Sequence, residues 1–254
     1  MYKFRLIPKL LIKKNSVSKN ILVTSKKFQN FISVGDPLSQ TKIFDAQSAD
    51  ELIILNIDDK INVTSNFQLL KNITSQIFIP VTYGGGIESL ELVREYLKNG
   101  ADKISINTSA FKNPSLVTKI SKYFGKSTVC VSIDYKKNKQ NINKVYINKG
   151  REEINIDPVE WAMEVEKKGA GEITLTNIDN DGEKNGLDLP LIRQVSLNSN
   201  IPIICSGGCG TLEHFIDGYK VAKASAVSAS TYFCFKDQGF MQVSSSLKNA
   251  GISI

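Results

Sequence analysis

The strongest constraint on this chain is that it repeats itself at half its length. IPVTYGGGIES around Gly84, Gly85 and Gly86 returns about 120 residues later as IPIICSGGCGT around Gly207 and Gly208. The same offset aligns ELIILNIDD (from Glu51) with EITLTNIDND (from Glu172), and ADKISINTSA (from Ala101) with AKASAVSAST (from Ala222). It also aligns FRLIPKLLIKK (from Phe4) with STVCVSIDYKK (from Ser127). Apart from FRLIPKLLIKK, each matched run is apolar and ends in Gly, Asn, Asp, Ser or Thr. Two halves with four strand ends apiece imply an eight-stranded closed sheet, and an α/β barrel typically takes about 250 residues.

Amphipathic helical patterns alternate with those runs, as repeated βα units require. Strands are expected at 4–11, 51–57, 77–83, 102–106, 128–134, 172–177, 201–206 and 225–229. Helices are expected at 37–48, 64–74, 88–99, 115–124, 157–168, 188–196, 210–222 and 236–249. Asp36-Pro37 and Asp157-Pro158 each place a capping carboxylate before a proline at the first helical position. Gly100 and Gly169 sit where helices end. The fold expected is a (βα)₈ TIM barrel, one domain over 1–254, with half-barrels at about 1–124 and 125–254. Two connections are long: 12–36, with little periodicity, and 135–156, expected to hold a short hairpin with VYI as one strand. Long βα loops on a barrel usually cover its active site.

No apolar run reaches the roughly 20 residues of a membrane span, and the basic start MYKFRLIPKLLIKK reads as a strand, so a cytoplasmic protein is expected. The net charge of +7 comes from scattered lysines without aromatic interleaving, which disfavours nucleic acid and suits phosphorylated small molecules. Cys130, Cys205, Cys209 and Cys234 lie in or beside apolar runs and read as buried free thiols. No metal site or cofactor is implied, and the single histidine, His214, falls on a helix in a packing role.

Barrel chemistry gathers where strands end: Leu11, Asn56, Gly84 to Gly86, Asn107-Thr108, Asp134, Thr176 to Asp181, Ser206 to Gly208, and Ala229-Ser230. Gly85-Gly86 and Gly207-Gly208 each precede a helix. Such a pair serves a tight turn or lets backbone N–H groups approach a phosphate. Asn107-Thr108 and Ala229-Ser230 on the neighbouring strand ends add donors, so a ligand phosphorylated at both ends is expected. Asp134, ending the apolar run VCVSI, is either a loop cap or a general acid/base, and Asp181 is a second carboxylate candidate.

These residues resemble a known family. GDP (35–37), YGGGIES, GADKISINTSAFKNPSL, SIDYKK, WAMEVEKKGAGEITLTNIDNDGEKNGLD and IICSGGCGTLEHF are similar to the cyclase subunit of imidazole glycerol phosphate synthase, HisF, over about 5–230. The resemblance implies a duplicated half-barrel that takes ammonia from a partner glutaminase, HisH, through the barrel to a doubly phosphorylated substrate. It implies that Gly86, Asn107 and Thr108 hold one phosphate and that Asp181, Gly182, Gly208 and Ser230 help hold the other. It assigns Asp134 as a catalytic aspartate, Arg5, Glu51, Lys103 and Glu172 as an ammonia gate, and Asp102 as a partner contact. Lys19 is kept in the loop after the first strand.

Departures from the family pattern are local. Leu11 stands where the family has its other catalytic aspartate, Asn56 replaces an aspartate, and the loops after strands one and five are changed. Kept phosphate turns and gate with altered chemistry imply a HisF-like subunit that still receives ammonia from a HisH-like glutaminase. The chain resembles HisF paralogues found beside glutaminase and amidotransferase-like proteins of surface-polysaccharide synthesis, which implies amidination of a sugar with a sugar amidotransferase as a further partner. The alternatives are an authentic cyclase of histidine biosynthesis and a non-catalytic scaffold that activates the glutaminase.

Overall fold

The computed structural model describes residues 3–59, 61–235 and 239–254. Among the described residues twelve strands run β1 (Arg5–Lys14), β2 (Asn20–Lys26), β3 (Gln29–Gly35), β4 (Leu52–Asn56), β5 (Val81–Gly84), β6 (Lys103–Ile106), β7 (Val129–Lys137), β8 (Asn143–Ile147), β9 (Glu152–Ile154), β10 (Glu172–Asn177), β11 (Ile203–Ser206) and β12 (Ala226–Ala229). Ten α-helices accompany them there: α1 (Pro37–Ala46), α2 (Val63–Thr74), α3 (Leu90–Lys98), α4 (Thr108–Lys112), α5 (Ser115–Phe124), α6 (Pro158–Lys167), α7 (Leu189–Asn198), α8 (Leu212–Lys220), α9 (Thr231–Cys234) and α10 (Gly239–Asn249).

Eight parallel strands close on themselves in the order β1, β4, β5, β6, β7, β10, β11, β12, with β12 pairing back onto β1. This is the expected (βα)₈ barrel. Residues alternating along β1 face its interior in successive layers: Arg5, Ile7, Lys9 and Leu11. Ile7 packs with Ile53, Ile204 and Ala226 in an apolar layer inside the barrel, and the larger core lies between sheet and helices. Caps behave as the sequence predicts. Asp36 accepts from Ser39 N at 2.9 Å and Asp157 from Val159 N at 2.8 Å, each with proline next in the chain. Gly100 and Gly169 have φ of +102° and +106°.

The halves match in detail. β1 and β7 both run past the barrel rim and carry antiparallel extensions there. A Cβ on Gly85 would lie 2.2 Å from the Asn56 carbonyl, and one on Gly207 would lie 2.4 Å from the Asn177 carbonyl. Both turns therefore demand glycine for the same close approach.

Two expectations change. Residues 12–36, expected as a long connection with little periodicity, extend β1 to Lys14 and form β2 and β3, which pair antiparallel on its end. The strands expected to start at 77 and 201 begin at Val81 and Ile203, because Pro80 and Pro202 precede them and lack the N–H a ladder needs. The last helix is described over Gly239–Asn249, and positions 236–238 of its expected span fall outside the described residues. The hairpin expected within 135–156 is present as β8 and β9, with Val145, Tyr146 and Ile147 in β8.

Candidate active site at the barrel mouth

The inward layers of the barrel make two polar stations. The first is at the floor, where Arg5, Glu51, Lys103 and Glu172 meet. Arg5 donates to Glu51 at 2.8 Å and to Glu172 at 2.9 Å, and Lys103 donates to Glu51 at 2.9 Å and to Glu172 at 2.8 Å. Thr82 adds a 2.6 Å bond to Glu51. Burial works against both cations, but the two carboxylates outweigh it and hold Arg5 and Lys103 above their ordinary pKa. The four residues expected as a gate thus form a closed ring. Asp102 stays exposed at the edge of this face and accepts from Val81 N at 2.9 Å, capping the start of β5.

The second station is the mouth. A cavity of ≈ 120 Å³ is lined on one side by Leu11, Phe28, Ile53, Leu55 and Ile57, and on the other by Ser105, Ser132, Asp134, Thr174, Thr176 and Asp181. Lys9 projects into it from β1. Asp134 is flanked by Asn107 Nδ2 at 3.2 Å and Ser132 Oγ at 3.3 Å. Burial pushes its carboxyl up to about 6, against the pull of the Lys9 charge. A carboxyl in that range can both take and give a proton near neutral pH. Asp181 accepts from Ser25 Oγ at 2.8 Å, and burial raises its pKa as well.

Two side cavities flank this centre. One is lined by Gly85, Gly86, Asn107, Thr108 and Lys112, and reaches Asp134. The other is lined by Asp181, Gly182, Gly207, Gly208, Ala229 and Ser230. The geometry therefore assembles the expected phosphate residues into two pockets on opposite sides of Asp134. Helices α4 and α9 begin directly after Asn107 and Ser230, so their first N–H groups add to the donors. The buried Ser228 and Ser230 hydroxyls have no protein partner among the described residues.

Some expected residues stand elsewhere. Lys19 is exposed at the β1–β2 turn, tied back by its N–H to Asn15, and lines none of these cavities. Asn56 lines the first side cavity, but its side chain is held within its own loop, donating to Asn66 and accepting from Asp58 N, both at 2.8 Å. His214 Nδ1 accepts from Gly210 N at 3.0 Å, the packing role expected of it. Leu11 does line the central cavity, so an apolar side chain occupies the place where the resemblance implies an acid. Lys9, Lys13, Lys149 and Arg151 line that cavity too and were not singled out from sequence. Lys149 and Arg151 reach it by crossing the mouth to Asp59, at 3.1 and 3.0 Å.

Comparison with known proteins decides the family. The model of the family described as Histidine biosynthesis protein matches residues 5–237. A HisF subunit of imidazole glycerol phosphate synthase from Clostridium botulinum (strain Kyoto / Type A2) is 40% identical over 252 residues, covering 98% of each chain. This chain belongs to the HisF family. The HisF subunit of Hydrogenobaculum sp. (strain Y04AAS1) is 41% identical over 253 residues, again covering 98% of each chain. A Prochlorococcus marinus (strain MIT 9313) protein, provisionally named imidazole glycerol phosphate synthase subunit hisF2, is 41% identical over 262 aligned positions, covering 100% of this chain and 98% of its own. No helix among its described residues is long and apolar enough to cross a membrane.

Proposed function

We propose that this chain is the synthase subunit of a HisF-type glutamine-dependent complex. A separate HisH-like glutaminase docks at the floor, around Asp102, and releases ammonia to the ring of Arg5, Glu51, Lys103 and Glu172. Ammonia then rises through the barrel interior to the central cavity. A substrate with a phosphate at each end spans the mouth there, one phosphate at Gly86, Asn107 and Thr108 and the other at Gly182, Gly207, Gly208, Ala229 and Ser230. The observation that carries this reading is the vertical alignment inside one barrel. The closed ionic ring lies beneath, and Asp134, with its raised pKa, lies above between two glycine-lined pockets.

The names of the relatives support the imidazole glycerol phosphate synthase reaction of histidine biosynthesis as the first reading, ahead of the sugar amidination expected from sequence. In it Asp134 moves protons while ammonia is incorporated and the substrate is cleaved and cyclised. One observation favours a second reading, a different ammonia acceptor such as a sugar. Leu11 cannot exchange a proton, and it lies beside Lys9 in the central cavity.

The purified chain, supplied with excess ammonium and the doubly phosphorylated ribulosyl aminoimidazole carboxamide, decides between them. Turnover that disappears in Asp134→Asn supports the histidine-pathway reading. Tight binding without turnover, with activity appearing in Leu11→Asp, supports the second. Absence of binding in the folded protein would overturn the histidine-pathway reading.

A further inference from the structure

Lys9 is the outstanding group of the mouth cavity. It lies one inward layer above Ile7 and one below Leu11, and only 4% of it is exposed. Its ammonium donates to one neutral partner, Ser206 Oγ at 2.7 Å, and no carboxylate of the described residues lies within ion-pair distance of it. An ammonium has three donors, and this one has no ion-pair partner, only the longer-range attraction of the Asp134 and Asp181 carboxyls. A core that needed only packing would hold an apolar residue here, as it does at Ile7, Ile53 and Ile204. The remaining donors open into the cavity shared with Asp134, whose carboxyl feels the Lys9 charge.

We propose that Lys9 is a catalytic residue that holds the oxygen of the acceptor's electrophilic carbon–oxygen double bond. This rests on the ammonia-consuming reading above. Ammonia arriving from the floor reaches the same layer and forms the new nitrogen–carbon bond. The π electrons of the carbon–oxygen bond pass to oxygen, where the Lys9 N–H groups stabilise the oxyanion. Asp134 takes one proton from the attacking nitrogen and returns it to that oxygen. The adduct is neutral, and both side chains end in the state in which they began. Lys9 thereby supplies electrophilic assistance in a site where Leu11 can supply none.

Two measurements test this, the first independent of the identity of the acceptor. In protein carrying ¹⁵N-labelled lysine, the Lys9 signal is assigned by its loss in Lys9→Met and followed during titration with formate, a small oxygen anion that fits the cavity. Turnover of the doubly phosphorylated ribulosyl aminoimidazole carboxamide with saturating ammonium is compared in the wild type, Lys9→Met and Lys9→Arg. The expected results are a saturable formate shift of Lys9 and a fall in kcat of about 100-fold in Lys9→Met with KM changed less than threefold. Lys9→Arg should recover part of kcat. A formate shift with a wild type inactive on this substrate would refute the choice of acceptor and leave the assignment of Lys9 standing. No formate effect on Lys9, or a Lys9→Met protein within threefold of wild-type kcat, would overturn the assignment.

Discussion

Asp134→Asn should stabilise the protein, and only above a definite pH. Burial raises the carboxyl from an ordinary 3.8 to about 6 in the folded state. Folding therefore favours the protonated form, and the ionised form carries a penalty in the native protein. Below pH 3.8 the group is protonated in both states and contributes nothing. Between about 4 and 6 the unfolded state has lost its proton while the folded state retains it, so stability falls as pH rises. Above 6 the penalty is constant. A shift of about two units at 1.36 kcal/mol each sets an upper bound of about 3 kcal/mol. The cavity's contact with solvent and the Asn107 and Ser132 hydrogen bonds, which an amide reproduces in part, reduce this to about 1–2 kcal/mol. Urea unfolding of both proteins from pH 4 to pH 8 reads the difference. The expected curve is near zero at pH 4 and climbs to a plateau favouring Asp134→Asn by pH 7. A difference independent of pH, or a destabilised variant at pH 7.5, would refute the reasoning.

Other perturbations have distinct signatures. Lys103→Met leaves Glu51 and Glu172 sharing Arg5 alone. With Lys103 partly open to solvent this should cost about 2–3 kcal/mol, lowering Tm by roughly 5–10 °C, and adding Glu172→Gln should return part of it in a thermal melt. Gly208→Ala puts a Cβ 2.0 Å from the Gly186 carbonyl at a φ of +117°. It should weaken one of two phosphate sites at least tenfold in a ³¹P titration while the Gly86 site is unchanged. Asp59→Asn removes the exposed bridges to Lys149 and Arg151, so stability should drop by under about 1 kcal/mol, while proteolysis between β8 and β9 quickens.

The barrel was legible because its evidence is local and repeated. Gly85 and Gly207 are required by close backbone approaches that no other residue permits, and the sequence displays them 122 positions apart. Asp36-Pro37 and Asp157-Pro158 announce helices through their own chemistry. What stayed hidden depends on distant pairing. β3 is exposed along nearly its whole length, so it carries no alternation to read, and it exists because β2 extends the end of β1. Asp181 meets Ser25 across 156 positions. Lys9 was lost among Lys3, Lys13 and Lys14, and only barrel closure turns the alternation of Arg5, Ile7, Lys9 and Leu11 into an inward column. Lys19 shows the opposite failure, since a motif position survived while the surrounding loop took a course that leaves it outside the site.

The central claim is that ammonia passes through this barrel from a glutaminase at its floor to Asp134 at its mouth. The complex should be given glutamine labelled with ¹⁵N at its side-chain amide, an accepted substrate and a tenfold excess of unlabelled ammonium, and the product nitrogen analysed. The account predicts product carrying mostly ¹⁵N in the wild type and diluted label in a Lys103 charge reversal. Label diluted to the bulk ratio in the wild type itself would contradict it.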